Sequence, residues 1–332
     1  MANCAITKSS KLHSTAWWAN CVLALLLAVT SSNGIAEETP NRNLASLAFA
    51  TQVLVAGSDN TALNLHFIEE MRRRGNSNIE WGLWSPGLAL QDDADKIIIA
   101  LGANALSKVL ATTPDAPVLV VMASSYQLQG MDLGTPHRSA IYHDPPLLRQ
   151  ALLGRAILPQ ASRVALLVRS GSEDHYQDIL ASLDEAGFEA RLFAVEGTSN
   201  LISGLSRALL FADFILGTPD DEIYNPRTIK HILLTAYRRN RIVVGPSRPF
   251  VSAGALASTY TPLSVTLDET LGYIKHYQEH GVFPAPSWPE HFVIEVNRQV
   301  AQSLNVPVPP IEQLEARLQR LVYENKGQRD EE

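Results

Sequence analysis

The sequence predicts an α/β protein of two Rossmann-like, doubly wound lobes with parallel sheets, and three observations carry that expectation. The apolar strands are continuous Val/Ile/Leu runs rather than alternating ones, as in strands buried on both faces. Amphipathic stretches separate them, and strand–helix alternation calls for right-handed crossovers between parallel neighbours. The alternation also runs twice, with a break near Tyr142–Pro146. A chain of 332 residues is long enough for two cores.

In the first run, Gln52–Ala56 reads as a strand, and Asp59 or Asn60 caps a helix with Leu63, Phe67, Ile68 and Met71 on one face, ended by Gly75. Ile79–Leu83, Lys96–Leu101 and Pro117–Met122 read as strands, with a helix over about Asn104–Ala111. In the second run, helices are expected at about Leu147–Leu158, Glu173–Ala186, Asn200–Leu210 and Pro226–Arg239. The strands between them are Arg163–Val168, Glu189–Val195, Asp213–Leu216 and Ile242–Val244. Ala255–Tyr260 and Phe292–Val296 follow the completed second run, so the chain must cross back at least once. Ile311, Leu314, Leu318 and Leu321 recur at helical spacing in a C-terminal helix that docks on a lobe. The expected organisation is a leader at 1–36, a linker at 37–50, and a first lobe at 51–143 with a return segment at about 256–288. A second lobe covers 144–255 with about 289–310, and 311–332 forms the C-terminal helix and tail.

The N-terminus has the layout of a cleavable secretory signal: Lys8 and Lys11, then apolar Cys21–Val29, then small residues at Gly34-Ile35-Ala36. Cys4 and Cys21 both fall inside it, so the mature chain is expected to have no disulfide, thiolate nucleophile or Cys-ligated metal. The 27 basic and 34 acidic residues give a net charge of −7, and loss of Lys8 and Lys11 takes it to −9. The richest basic cluster, Arg238, Arg239 and Arg241, lies at a helix end, where cations complement the helix dipole. Nucleic acid is therefore not an expected partner. A P-loop and a nucleophile elbow are absent from the sequence, and the nine histidines are scattered. No enzyme activity and no cofactor are expected.

In doubly wound sheets, ligands sit beyond the carboxyl ends of the strands. The loops there are Gly57-Ser58-Asp59-Asn60, Ala123-Ser124-Ser125-Tyr126, Arg169-Ser170-Gly171-Ser172, Gly217-Thr218-Pro219-Asp220-Asp221 and Gly245-Pro246-Ser247-Arg248. Their hydroxyls and backbone N–H groups suit a carboxylate, and Asp59, Asp220 or Asp221 suits an ammonium group. Any one of these loops alone reads better as a cap or turn than as a ligand site. The set points to a zwitterion. The candidate ligand residues are Ser58, Asp59, Ser124, Ser125, Tyr142, Thr218, Asp220, Ser247 and Arg248, with Tyr142 placed to cover the ligand. Trp81, Trp84 and Trp288 are expected to pack.

Several stretches carry a family resemblance: Tyr142–Gln150 with Leu158-Pro159 and Arg163–Leu167, Ala212–Leu216 with Asp220, Gly254–Ser258, and Val296–Ala301 through Leu304–Pro307. Over roughly Tyr142 to Leu318 the chain resembles the substrate-binding proteins of ABC transporters often described as tryptophan or sugar binding. The resemblance implies a type I periplasmic-binding-protein fold, two lobes joined by three crossovers and closing on a small ligand, typically an amino acid or small organic solute. It also implies that Ser58, Ser124, Ser125, Thr218, Asp220 and Ser247 lie on ligand-facing loops. The expected role is a periplasmic, monomeric solute carrier whose partner is a membrane permease. The alternative is an accessory module for a membrane sensor or outer-membrane receptor.

Overall fold

A computed structural model describes residues 51–75, 77–86 and 96–330. The expected leader, its two cysteines and the linker lie outside the described residues.

The first lobe begins with β1 (Thr51–Ala56), α1 (Thr61–Arg74), β2 (Ile79–Leu83), β3 (Lys96–Leu101), α2 (Ala103–Thr112) and β4 (Val118–Ala123). Of the two candidate caps for α1 it is Asn60 whose side chain accepts the Leu63 N–H. A further strand, β5 (Arg138–Tyr142), completes a parallel sheet of order β2-β1-β3-β4-β5. The apolar-run criterion missed β5 because only Ser139, Ala140 and Ile141 are buried in it, between polar ends. Its pairing with β4 shifts register between Val120 and Ala123, where Met122 has φ of 61°.

The second lobe follows with α3 (Leu147–Ile157), β6 (Arg163–Arg169), a short 3₁₀ turn at 173–176, α4 (Gln177–Glu185), β7 (Glu189–Val195) and α5 (Gly197–Phe211). Next come β8 (Phe214–Leu216), α6 (Ile229–Arg238), β9 (Ile242–Val244), α7 (Arg248–Ala253) and β10 (Ala257–Tyr260). Helix α6 starts later than Pro226 because Asn225 and Thr228 bond back into the preceding turn. The return to the first lobe, expected at about 256, begins after Tyr260, since β10 pairs with β9.

Helix α8 (Leu263–His280) then packs on the first lobe, where Leu267, Tyr273 and Ile274 join Phe67, Met71, Ile97 and Ile141. Its signal in the sequence was weak because its buried face includes Thr266 and Thr270, with the Thr270 hydroxyl bonded to the Thr266 carbonyl. The chain next runs beside β5, with Ser287 N–H donating to Ala140 O and Tyr142 N–H to Ser287 O. It crosses back into β11 (Val293–Val296), α9 (Arg298–Ser303) and α10 (Ile311–Asp330). The second sheet has order β11-β10-β9-β8-β6-β7 and is parallel except for β11. Leu314 and Leu318 of α10 are fully buried, and Arg317 donates to Ala156 O of α3 at 2.8 Å.

Three crossovers therefore join the lobes, at 143–146, 261–262 and 288–292. Each sheet has a hydrophobic cluster on both faces. Continuous apolar strands produce that result, because every alternate residue on each face must find a cover.

Candidate functional site

The second lobe contributes the tip of β8. A Cβ on Gly217 would lie 2.6 Å from Pro246 Cδ, so only glycine lets the tips of β8 and β9 approach this closely. Thr218 is buried and its hydroxyl donates to Leu167 O at 3.1 Å, stitching β8 to β6. Asp220 is 1% exposed. Its Oδ1 accepts the Glu222 N–H at 2.9 Å, while Oδ2 is buried without a hydrogen-bond partner among the described residues. Burial pushes the phenols of Tyr176 and Tyr224 up, and the Asp220 charge adds to the effect.

From the first lobe comes the loop after β4. Ser124 and Gln127 close a turn: the Gln127 N–H donates to Ser124 Oγ, and the Ser124 N–H to Gln127 Oε1, both at 3.1 Å. Ser125 is pinned to the first crossover, its N–H donating to Asp144 Oδ1 at 2.6 Å and its hydroxyl to Oδ2 at 2.7 Å. Tyr126 reaches the second lobe. Its hydroxyl accepts from Arg169 Nη2 at 2.9 Å, and its ring stacks on Tyr176 with centroids 6.2 Å apart. Gln127 Nε2 donates to Asp221 Oδ2 at 3.0 Å. The tips of β4, β6 and β8 thus meet between the lobes.

Burial drives the Asp144 carboxyl above the ordinary carboxylate range, against the pull of its Ser125 bonds. The folded state then holds this proton more tightly than the unfolded chain does. Asp144 favours folding below the ordinary range, and that contribution is lost as pH rises through the raised folded value. Asp144→Asn is expected to remove this slope. Its melting temperature relative to wild type should improve between about pH 4 and neutrality, and a flat difference across scanning calorimetry runs would refute the assignment.

Beside this meeting point lies a cavity of about 790 Å³. Tyr126, Tyr142, Tyr176, Trp288 and Phe292 are among its walls, drawn from both lobes and the third crossover. Tyr142 packs on Trp288 with centroids 4.6 Å apart. Arg149 also lines it with its guanidinium partly committed to structure, Nη2 being buried without a hydrogen-bond partner among the described residues. Nε donates to Thr259 Oγ1 at 3.2 Å, Nη1 to Pro289 O at 3.3 Å, and the group lies 4.3 Å over the Phe292 ring. Burial lowers its pKa to about 10, despite Asp144 nearby. Among the described residues, no cluster of three metal-ligating side chains occurs and no helix is long and apolar enough to cross a membrane.

No family model and no curated protein matches the chain. Solved structures do. A ligand-free, open substrate-binding protein with adhesive properties from Clostridium difficile aligns at a TM-score of 0.61 and 14% identity, over 79% of this chain and 97% of that one. A conserved domain protein from Vibrio cholerae aligns at 0.56 and 15%, over 81% and 98%. An ABC domain in complex with L-Trp from Streptococcus pneumoniae aligns at 0.52 and 18%, over 78% and 96%. The chain has the type I periplasmic-binding-protein fold. At these identities the fold is what is shared.

Within this periplasmic-binding fold, the nine residues singled out from the sequence separate into groups. Ser125 and Tyr142 line the cavity. Asp220 and Ser124 belong to the tip cluster beside it, and Thr218 is occupied within its own sheet. Ser58 turns inward, sharing Asn64 Oδ1 through its N–H and hydroxyl at 2.9 Å each, and Asp59 faces Lys108 at 3.4 Å. Neither of these lines the cavity. Ser247 precedes α7 without a side-chain capping bond, while Arg248 pairs with Glu295 at 3.4 Å over the Tyr260 ring. Trp288, expected to pack, packs on Tyr142 and walls the cavity as well. Tyr176, Arg149 and Phe292 also line the cavity without being singled out by the sequence, because an aromatic or a lone arginine within an element reads as core or surface until its neighbours are known.

Proposed function

We propose that this chain is an exported, periplasmic solute-binding protein. It captures a small polar or zwitterionic solute between its lobes and presents the closed form to an ABC-type membrane importer. The observation carrying this reading is the cavity at the lobe junction. Its volume of about 790 Å³ falls in the range of small-molecule sites, which span roughly 300–1,000 Å³. Its walls come from both lobes, so a solute held there contacts both at once. Such contacts are what closure requires, since moving a mostly open population to mostly closed takes roughly 5 kcal/mol of differential affinity. The leader-like N-terminus supports export, and the binding needs no chemistry on the solute.

Scanning fluorimetry of the purified protein against amino acids, amines and small organic acids tests the proposal. At a hundredfold excess over Kd a true ligand adds about 2.7 kcal/mol, a rise of several degrees in Tm for a chain of this size. A complete absence of stabilisation across the library would overturn it.

One observation favours the accessory-module reading. Tyr126 and Gln127 span the crevice and bond to Arg169 and Asp221, so the protein's own side chains occupy part of the space between the lobes. A module of that kind would show no stabilising solute and would be retained by a membrane sensor or outer-membrane receptor.

A further inference from the structure

The outer layer of the second lobe is charged against the sign of the whole chain. Helices α5 and α6 cover one face of the second sheet, with Leu205, Leu209, Ile229 and Ile232 turned onto Leu167, Ile215 and Val243. Their outward sides therefore look the same way. The cavity lies on the other face of this sheet, where Leu152 and Tyr176 belong to the opposite apolar layer. Residues 197–212 and 223–247 hold Arg207, Arg227, Lys230, Arg238, Arg239 and Arg241 and not one Asp or Glu, in a chain of net charge −7. None of these cations makes an ion pair among the described residues. Carboxylates at the edges of the layer are engaged elsewhere: Asp213 with Arg163, Glu222 with Arg169 and Asp221 with Gln127, while Glu196 also has a partner. The helix dipole accounts for Arg238 and Arg239 at the C-terminal end of α6, but it opposes Arg227 and Lys230 at the N-terminal end. Apolar side chains stand among the charges. Ile202, Leu210, Leu234 and Tyr237 are four of the nine large hydrophobics exposed among the described residues, so exposed apolar surface is concentrated on these two helices. Along α6, Lys230, His231, Leu234, Tyr237 and Arg238 fall at three- and four-residue spacing, which puts both kinds of side chain on one stripe.

We infer that this face docks on an anionic phospholipid surface. Six unpaired cations close together in an acidic protein repel one another until a partner supplies the opposite charge. The apolar side chains decide between anionic partners. Against nucleic acid, the cations would meet phosphates and leave Leu210, 72% exposed, in water. At a bilayer that side chain enters the boundary between headgroups and acyl chains, while the Arg and Lys stems lie along the boundary and keep their charges among the phosphates. The surface is the outward side of two helices rather than a groove, and a fluid bilayer conforms to it without a matching shape. Solute capture uses the other face of the sheet, so its failure leaves this contact intact.

Sedimentation of the purified full chain with lipid vesicles tests it. Phosphatidylcholine vesicles containing about one-third phosphatidylglycerol are expected to carry the chain down at low salt, and pure phosphatidylcholine vesicles are not. Raising the salt to about 1 M is expected to release it. Lys230→Gln with Arg238→Gln is expected to weaken binding roughly thirtyfold, at about fivefold per cation. Lys108→Gln with Lys275→Gln removes the same charge from exposed helix positions in the first lobe, and should change binding less than about twofold. Leu210→Ser, a surface change that leaves folding intact, is expected to weaken binding severalfold. Equal binding to both kinds of vesicle, or an equal loss in the first-lobe pair, overturns the inference. So does an affinity that Leu210→Ser leaves unchanged, or tighter binding to soluble polyglutamate or single-stranded DNA, which would make a polypeptide or a nucleic acid the partner. A dimer in sedimentation velocity runs that the Lys230 and Arg238 substitutions dissolve would put a second copy on this face, and overturns it too.

Discussion

Replacing Gln150 by Leu is expected to lower the unfolding free energy by about 3 kcal/mol. Gln150 is fully buried in α3. Its Nε2 donates to Gly245 O and to Ser258 Oγ, both at 2.7 Å. Its Oε1 accepts the Thr259 N–H at 2.8 Å and the Thr259 hydroxyl at 2.9 Å. One side chain therefore supplies four bonds across the sheet, at the tip of β9 and along β10. Leucine has nearly the same volume, so packing is preserved and the cost isolates the lost bonds. A backbone carbonyl and a backbone N–H lose a partner away from water, while the Ser258 hydroxyl keeps its bond to Thr259 O and the Thr259 hydroxyl its bond from Arg149 Nε; a buried unsatisfied group costs about 1–3 kcal/mol. Urea denaturation of wild type and variant gives the difference. A loss below about 1 kcal/mol would mean that these bonds are replaced by water and do not hold the hinge-side strands together.

The second large effect is in the packing of α3 on the sheet. Phe214 in β8 is fully buried, its ring edge-on to Phe188. A Cβ on Gly154 would come within 2.5–3.0 Å of the Phe214 ring atoms. Phe214→Ala is expected to cost about 3–5 kcal/mol through lost burial and the cavity left behind. Gly154→Ala is expected to cost about 1–3 kcal/mol through overpacking, in spite of alanine's better helix propensity. The double variant is the decisive measurement. With the ring gone the new methyl enters vacated space, so the two costs should fall short of additivity by at least about 1 kcal/mol. Simple additivity in a denaturation cycle would show that Gly154 does not owe its place to Phe214.

Both predictions concern α3, the helix that follows the first crossover, in which Asp144 clasps Ser125. The stability of this corner and the geometry of the site are linked. Arg149 and Gln150, neighbours in sequence, anchor α3 to β10, while Leu147, Leu148 and Leu152 face the cavity.

Much of this architecture was legible in the residues alone. Strands such as Lys96–Leu101 and Arg163–Val168 are apolar on both faces, and only a sheet covered on both sides satisfies them. Asn60 and Gly75 bounded α1, because capping and helix arrest are local chemistry. The resemblance over Tyr142 to Leu318 pointed to the fold that the solved structures share. What failed were elements whose burial is mixed: β5 with its polar ends, and α8, where threonines take core positions by bonding their hydroxyls back into the helix.

The sequence by itself determined the class of fold, the two runs of strand and helix and the loops at the strand tips, because burial pattern and capping act over a few residues. Tertiary structure alone decided which of those loops meet. It used Thr218 and Ser58 for internal bonds, brought Tyr126 to Arg169, and gathered Tyr142, Tyr176, Trp288 and Phe292 around one cavity. The physical reason is that a hydroxyl or a ring has the same local signature whether it faces its own sheet or the opposite lobe, and only the path of the three crossovers determines which.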